Sequence, residues 1–386
     1  MSYCKICGRP NCKEHTFLIG KTKDIKEFSG SSPPEIFVGR YNYPNVNIGI
    51  LSPTEYGDTK ILSSPEQWHE KQLNIQEIVS LRDRLIYGRT QGHIKKLYER
   101  FLGTMQEVAL THKSISTEFK LKKSIQVNKE TDKWVPIIKN TAPVEKVVLQ
   151  ENPKIKPKID YITGDTDVRS TDAILELDKA GISSTHIMKV LSAGLLGRKT
   201  GRKLVPTRWS ITAVDDILSK NKLKKIRYYP QISDILIFHS EYLGNHYEFL
   251  LLPDRWSFEV IEIALANNGM WKDYESFFPR KRYADNVTGA YYANKLALCE
   301  WLEKKKRQAS CLVLREIRKE YDAPLGVGIL RQASRQAFKT KPERFDSLKD
   351  AFIKIQSRLK QNINNYVKES ILLKEYKKQS RLDKWF

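Results

Sequence analysis

Two clusters in this 386-residue chain carry residue types whose spacing implies chemistry. Near the N-terminus, Cys4, Cys7, Cys12 and His15 follow the pattern C-x2-C-x4-C-x2-H. Three thiolates and one imidazole complete a tetrahedral site for Zn2+, and such a closed set of four ligands is structural rather than catalytic. Gly8 and Pro10 let the loop bend sharply after the first pair, and Lys5, Arg9 and Lys13 offset the thiolate charge. The knuckle either contacts DNA or fastens the N-terminus to the body, and the sequence leaves both open. Cys299 and Cys311 lie in apolar stretches read as helical and are expected to be inert core thiols.

The second cluster runs from Gln379 to Phe386. Gln379, two free positions, Leu382, two free positions, Trp385 and Phe386 match the pattern of peptides that dock on the DNA sliding clamp (PCNA). One tight helical turn brings Leu382, Trp385 and Phe386 onto one face as an apolar plug, while the Gln379 amide enters a small polar pocket. Lys377, Lys378 and Arg381 adjust encounter and register. The alternative is that Trp385 and Phe386 fold back over the core. Chain ends are normally frayed and polar, so an aromatic pair there favours a separate partner surface.

The body offers weaker candidates. Arg198, Lys199, Arg202 and Lys203 form a basic glycine-flanked loop suited to a DNA phosphate track. Arg208 extends it, and Trp209 either stacks on a base or sits in the core, the plainer reading. Arg40, Tyr41, Tyr43, Asn45 and Asn47 form a polar aromatic cluster that reads equally as a nucleotide pocket or a plain turn. Asp165 and Asp167, with Asp160 and Asp172 nearby, make either a Mg2+-holding loop or an ordinary acidic turn at a helix start. His239, Glu241, His246 and Glu248 can meet across a hairpin.

The elements that position these residues follow from periodicity. Residues 36–39 and 46–51 read as two strands around a tight connection, after a polar linker at residues 29–34. Residues 66–103 read as mainly helical, with Ile75, Ile78, Val79, Leu81, Leu85 and Ile86 on the apolar face. Residues 115–160 alternate β-branched and charged positions, which predicts β-structure with loops. Two helices meet at Gly181, with Thr171 as a candidate cap, and strands follow at 234–239 and 246–252. The last hundred residues read as mostly helical, including a buried helix at 290–302 and one long amphipathic helix from Phe345 to Tyr366.

Composition bounds the function. Lys and Arg number 67 against 45 Asp and Glu, giving a net charge of +22 spread along the chain. Such an excess draws polyanions, because each neutralised phosphate releases condensed counterions. No apolar run is long enough to cross a bilayer, and no hydrophobic signal region opens the chain, so a cytoplasmic, nucleoid-associated protein is expected.

Four segments then resemble the archaeal DNA repair proteins called Nre: Phe37 to Val46, Leu204 to Asp216, Gly289 to Ala293 and Pro324 to Val327. The resemblance covers nearly the whole chain and implies a role in the DNA-damage response together with the sliding clamp. It supplies no catalytic set, and His15 as fourth ligand departs from an all-cysteine finger.

The combined expectation is an α/β protein with a mixed α+β body, a small N-terminal zinc knuckle, a helical C-terminal region and a flexible C-terminal tail. Residues 1–17 form the knuckle, 35–285 the mixed core, 286–376 a helical region packed on it, and 377–386 the clamp-binding tail. The expected function is a DNA repair factor recruited by the clamp, touching DNA through a basic surface. Two alternatives stand beside it. One is a DNA- or nucleotide-modifying enzyme using Asp165, Asp167 or Asp215; the other is a non-catalytic scaffold bridging the clamp to another repair protein.

Overall fold

Apolar and small polar residues alternate through β1 (Glu27–Ser32), β2 (Glu35–Val38) and β3 (Asn45–Ser52), and that period of two buries one face of each strand. The structure, a computed structural model, describes residues 25–127 and 135–378. The metal set Cys4, Cys7, Cys12 and His15 lies outside the described residues, as do Gln379, Leu382, Trp385 and Phe386. The chain divides into two units, Met1–Leu218 with Asp322–Gly328, and Ser219–Tyr321 with Ile329–Phe386.

In the first unit, β4 (Ile86–His93), β5 (Ile115–Leu121) and β7 (Asn140–Leu149) join the first three strands. The sheet order is β1-β5-β7-β4-β3-β2, with the short β6 (Gln126–Val127) pairing with β7 off that path. Only β4 and β7 pair in parallel within this sheet. The inner face carries Ile36, Val38, Val46, Ile48, Ile50, Ile86 and Phe119 in the main core. Helices α1 (Pro65–Glu70), α2 (Ile75–Asp83), α3 (Arg100–Leu110), α4 (Pro157–Gly164), α5 (Ser170–Lys179) and α6 (Ser184–Ser192) complete the unit, with the first part of α7 (Thr207–Ile226). A capping box starts α2: the Asn74 side chain accepts from the Glu77 amide at 2.9 Å, and Glu77 accepts from the Asn74 amide at 2.7 Å.

Two expectations fail here. The linker at 29–34 is largely β1, whose small polar residues are buried and bonded; Ser52 and Thr117 share a hydroxyl contact at 2.9 Å, and Thr117 donates to the Gly30 carbonyl. The helical reading of 66–103 breaks at β4. There Gly88 lies against the Phe119 ring, where an added Cβ would come within 2.6 Å. Close packing across the inner face of the sheet, rather than local propensity, selects this strand.

The second unit is built on β11-β10-β12-β9-β8-β13. These are β8 (Ile235–Tyr242), β9 (Asn245–Leu252), β10 (Ser257–Ala264), β11 (Gly269–Glu275), β12 (Ser310–Ile317) and β13 (Glu343–Phe345). Every residue of β9 is buried, as a near-continuous apolar run in a central strand requires. Helix α8 (Gly289–Lys305) is the expected buried helix, and α9 (Val327–Ala337) follows. Strand β12 passes through the stretch expected to be helical and carries Cys311, so only Cys299 is on a helix; both thiols are buried and free. The single long helix is instead β13 followed by α10 (Leu348–Gln356), α11 (Ile363–Glu369) and α12 (Ile371–Lys378). Its apolar residues do pack as expected: Ile355, Leu359, Ile363 and Tyr366 join one core with Ile237, Leu250 and Leu312. A shared apolar spacing of three and four survives a broken helix when each piece lies on the same sheet. No helix among the described residues is long and apolar enough to cross a membrane.

Histidine 186 ties α6 to α3 by donating from Nε2 to the Ala109 carbonyl at 3.0 Å. Burial pushes its pKa down from the ordinary 6.5 to about 4, with Lys189 adding to the shift. Between those values the unfolded chain takes the proton and the folded chain does not. Stability is therefore lost as pH falls through this window, by on the order of 2–3 kcal/mol from this group. Chemical denaturation at pH 7 and pH 4.5 should show a smaller acid loss for His186→Gln than for the wild type.

Candidate nucleic-acid interface

Strand register places a row of side chains on the outer face of the first sheet. Phe37 pairs with Gly49, and Gly49 pairs with Arg89. Alternation then sets Asn47 of β3 and Tyr87 of β4 on the same face. Gly49 leaves this row open between Phe37 and Arg89, because a Cβ there would strike the Gly88 carbonyl at 2.2 Å. The resulting cleft is narrow and opens to solvent, with a cavity volume of about 40 Å³. Its floor is Phe37, Tyr87, Asn47 and Arg89; its walls are Val38 to Tyr41, Val135 to Ile138, Arg208 and Pro324.

Hydrogen bonds hold the walls to the floor. The Val38 amide donates to Thr207 Oγ1 at 2.9 Å, which fixes the first turn of α7 against β2 and so places Arg208. The Gly39 amide donates to the Asn47 carbonyl at 2.7 Å, and the Ile137 amide to the Pro324 carbonyl at 3.2 Å. The Tyr87 hydroxyl donates to the Phe37 carbonyl at 3.1 Å. Behind the wall, the buried Arg82 guanidinium donates to the Ile137 carbonyl at 3.1 Å and to both oxygens of Glu35, at 2.9 and 3.2 Å. Three sequence segments far apart in the chain, 37–47, 204–208 and 324–326, therefore meet at one place.

The charge of this cleft is one-sided. Arg40, Arg89 and Arg208 line it, each half-buried, and among the described residues no Asp or Glu does. The Arg89 guanidinium has no hydrogen-bond or ion-pair partner among the described residues. Arg40 lies over the Tyr41 ring at 4.6 Å and donates to its hydroxyl at 3.3 Å. Beside the cleft, Tyr43 and Trp209 touch with ring centroids 5.3 Å apart, and each is 44% exposed. The core position expected for Trp209 is thus wrong: the first turn of α7 presents it outward against Tyr43.

Of the basic loop, Arg198, Lys199 and Lys203 are exposed. The loop joins α6 to α7 through a short 3-10 turn at Lys199–Gly201. Arg202 is occupied differently. It donates to the carbonyls of Gly197 at 2.8 Å, Thr163 at 2.9 Å and Asp165 at 2.6 Å, and so braces the loop from inside. Asp165 Oδ1 accepts from the amides of Asp167 and Val168, which makes this segment an acidic turn. Asp215 is fully buried. Among the described residues, no three His, Cys, Asp or Glu side chains converge as a metal site. The β8–β9 hairpin does bring the expected histidines and glutamates together, with His246 between Glu241 at 3.2 Å and Glu248 at 2.8 Å. There Arg358 bonds both oxygens of Glu248, so the cluster is a structural charge network.

Sequence reading found Arg40, Tyr41, Asn47 and Arg208 but missed Phe37, Tyr87 and Arg89 as cleft residues. Their signal is pairing register, which one strand does not display.

Gly326 supports the far wall with a backbone φ of +82°, and a Cβ there would meet the Pro136 nitrogen at 2.8 Å. Gly326→Ala is expected to cost about 1–3 kcal/mol from the left-handed backbone and the clash. A lowered denaturation midpoint checks this, and retained wild-type stability contradicts it.

Two family models account for the chain: Archaeal Nre, N-terminal, matches residues 2–272, and Archaeal Nre, C-terminal, matches residues 275–385. A DNA repair protein NreB of Archaeoglobus fulgidus is 34% identical over 377 residues, covering 96% of this chain and 95% of the relative. DNA repair protein NreA of the same organism is 35% identical over 90% of this chain and 89% of its own length. DNA repair protein NreA of Haloferax volcanii is 32% identical over 80% and 77%. No solved structure matches the chain. With both family models matched end to end and relatives similar along most of their length, the chain belongs to the archaeal Nre family.

Proposed function

We propose that this protein is a DNA repair factor, brought to its substrate by the DNA sliding clamp and touching DNA through the basic face of its first unit. The observation that carries the reading is the three-arginine cleft, with no acidic residue on its lining among the described residues. Exposed Arg198, Lys199 and Lys203 lead in sequence toward Arg208, which suits a strand whose phosphates run along the loop. The names of the relatives, all DNA repair proteins, point the same way. The spacing of Gln379, Leu382, Trp385 and Phe386 supports the clamp as partner, since a tethered module gains local concentration without new contacts to DNA. Cys4, Cys7, Cys12 and His15 are read as a structural Zn2+ site, which the metal content of the purified protein reports. The scaffold alternative leaves the cleft's charge without a role. The enzymatic alternative finds no carboxylate on the cleft's lining among the described residues.

Removing residues 379–386 is expected to abolish binding to the clamp and to leave DNA binding in place. Clamp binding that survives the deletion refutes the recruitment. For duplex DNA, affinity should fall with added salt on a logarithmic slope of about −3 to −4.5, corresponding to roughly three to five phosphate contacts. A flat dependence removes the basic-face reading.

A further inference from the structure

The cleft's surface is more particular than a basic patch. Its polar side chains are three guanidiniums, the Asn47 carboxamide and the Tyr41 hydroxyl, while Phe37 and Tyr87 meet edge-to-face at 5.5 Å beneath them. The Tyr87 hydroxyl is already spent on the Phe37 carbonyl, so the floor offers aromatic carbon rather than another polar group. A guanidinium fork matches phosphate oxygens in pairs, and Arg89 keeps its donors unused by any described residue. An inorganic anion would need the arginines but not the aromatic floor. An acidic peptide would need neither an aromatic floor nor a carboxamide beside it. A planar heterocycle joined to a phosphate uses all three.

We infer that this cleft takes up one nucleoside monophosphate unit, the base on the Phe37–Tyr87 floor beside Asn47 and the phosphate among Arg40, Arg89 and Arg208. The inference rests on the proposed DNA role for the source of the ligand, which is then a single nucleotide turned out of a strand. Bases inside a paired stack present no face to such a cleft, so uptake requires a nucleotide that is unpaired, bulged or mismatched. That requirement gives the protein selectivity for irregular DNA without reading sequence. The exposed Tyr43–Trp209 pair beside the opening is placed to stack on a neighbouring base of the same strand.

The test uses the full chain, fluorescence anisotropy on labelled oligonucleotides, and free dAMP as a competitor. The wild type should prefer a duplex with a one-nucleotide bulge over the matched duplex by about tenfold, and Arg89→Gln should bring that ratio near one. Since Arg89 has no described partner to lose, R89Q should melt with the wild type. If it does not, Asn47→Asp places a carboxylate in the same cleft and should erase the preference independently. Bulge preference with only weak dAMP competition identifies a nucleotide within a strand. Tight dAMP binding lost in R89Q, with no bulge preference, keeps the cleft's chemistry and assigns it a free nucleotide. A preference and dAMP binding both indifferent to R89Q and N47D overturn the inference. Salt-dependent binding to matched duplex that persists in that case leaves the basic-face reading intact, so the two failures are separable.

Discussion

One buried guanidinium organises the first unit. Arg82 reaches Glu35 on β2 through two bonds, the Leu62 carbonyl at 3.2 Å and the Ile137 carbonyl at 3.1 Å. Taking an arginine out of water costs several kcal/mol, and the cost is offset only when each donor finds an acceptor in good geometry. Here the acceptors belong to three separate segments, so satisfying the charge also fixes where those segments lie. The carboxylate that balances Arg82 is Glu35, turned toward α2 and away from the cleft lining.

The same sheet serves two purposes by face. On the inner side β2, β3 and β4 contribute Ile36, Ile48, Ile50 and Ile86 to the core. On the outer side the alternate positions Phe37, Asn47, Tyr87 and Arg89 form the cleft floor. A register slip of one residue would exchange the two sets, so the core's demand for apolar residues also aligns the cleft-facing ones. The geometry of the cleft floor is thereby inherited from packing. The second unit handles its charges differently. Lys295 and Glu275 meet at 2.7 Å with both side chains about 1% exposed, and Arg315 pairs with Glu262 at 2.6 Å. These pairs are closed, with no surface left for a ligand.

How much of this was legible in the sequence depends on the range of the interaction. Strands with local alternation, such as Glu35–Val38 and Asn45–Ser52, could be read, and so could the buried helix around Ala290 to Leu302. Ser184–Ser192 and its partner before Gly181 were equally plain, because glycine at φ +74° ends a helix for local reasons. Strands β10, β11 and β12 were not anticipated; their residues are chosen by neighbours brought in from elsewhere in the chain. The cleft shows the same division. Arg40 and Tyr41 advertise themselves as part of a polar and aromatic cluster in a turn, whereas Arg89 looks like any strand arginine until Gly49 and Phe37 are set in line with it. Arg202, grouped with its cationic neighbours by composition, proved to be an internal brace because three carbonyls surround it.

The short run Asp322–Gly328 belongs to the first unit although the chain on both sides of it belongs to the second. Pro324 and Gly326 complete one wall of the cleft, so that wall is made from residues synthesised long after the sheet it leans on. On a ribosome the sheet can pair once residue 149 has emerged, yet the cleft stays unfinished until about residue 328 is free of the exit tunnel. The boundary between the two family models falls near residue 273, inside β11. A fragment cut there would lose both the returning segment and the edge pairing of β11, so the cleft depends on residues of both matched regions.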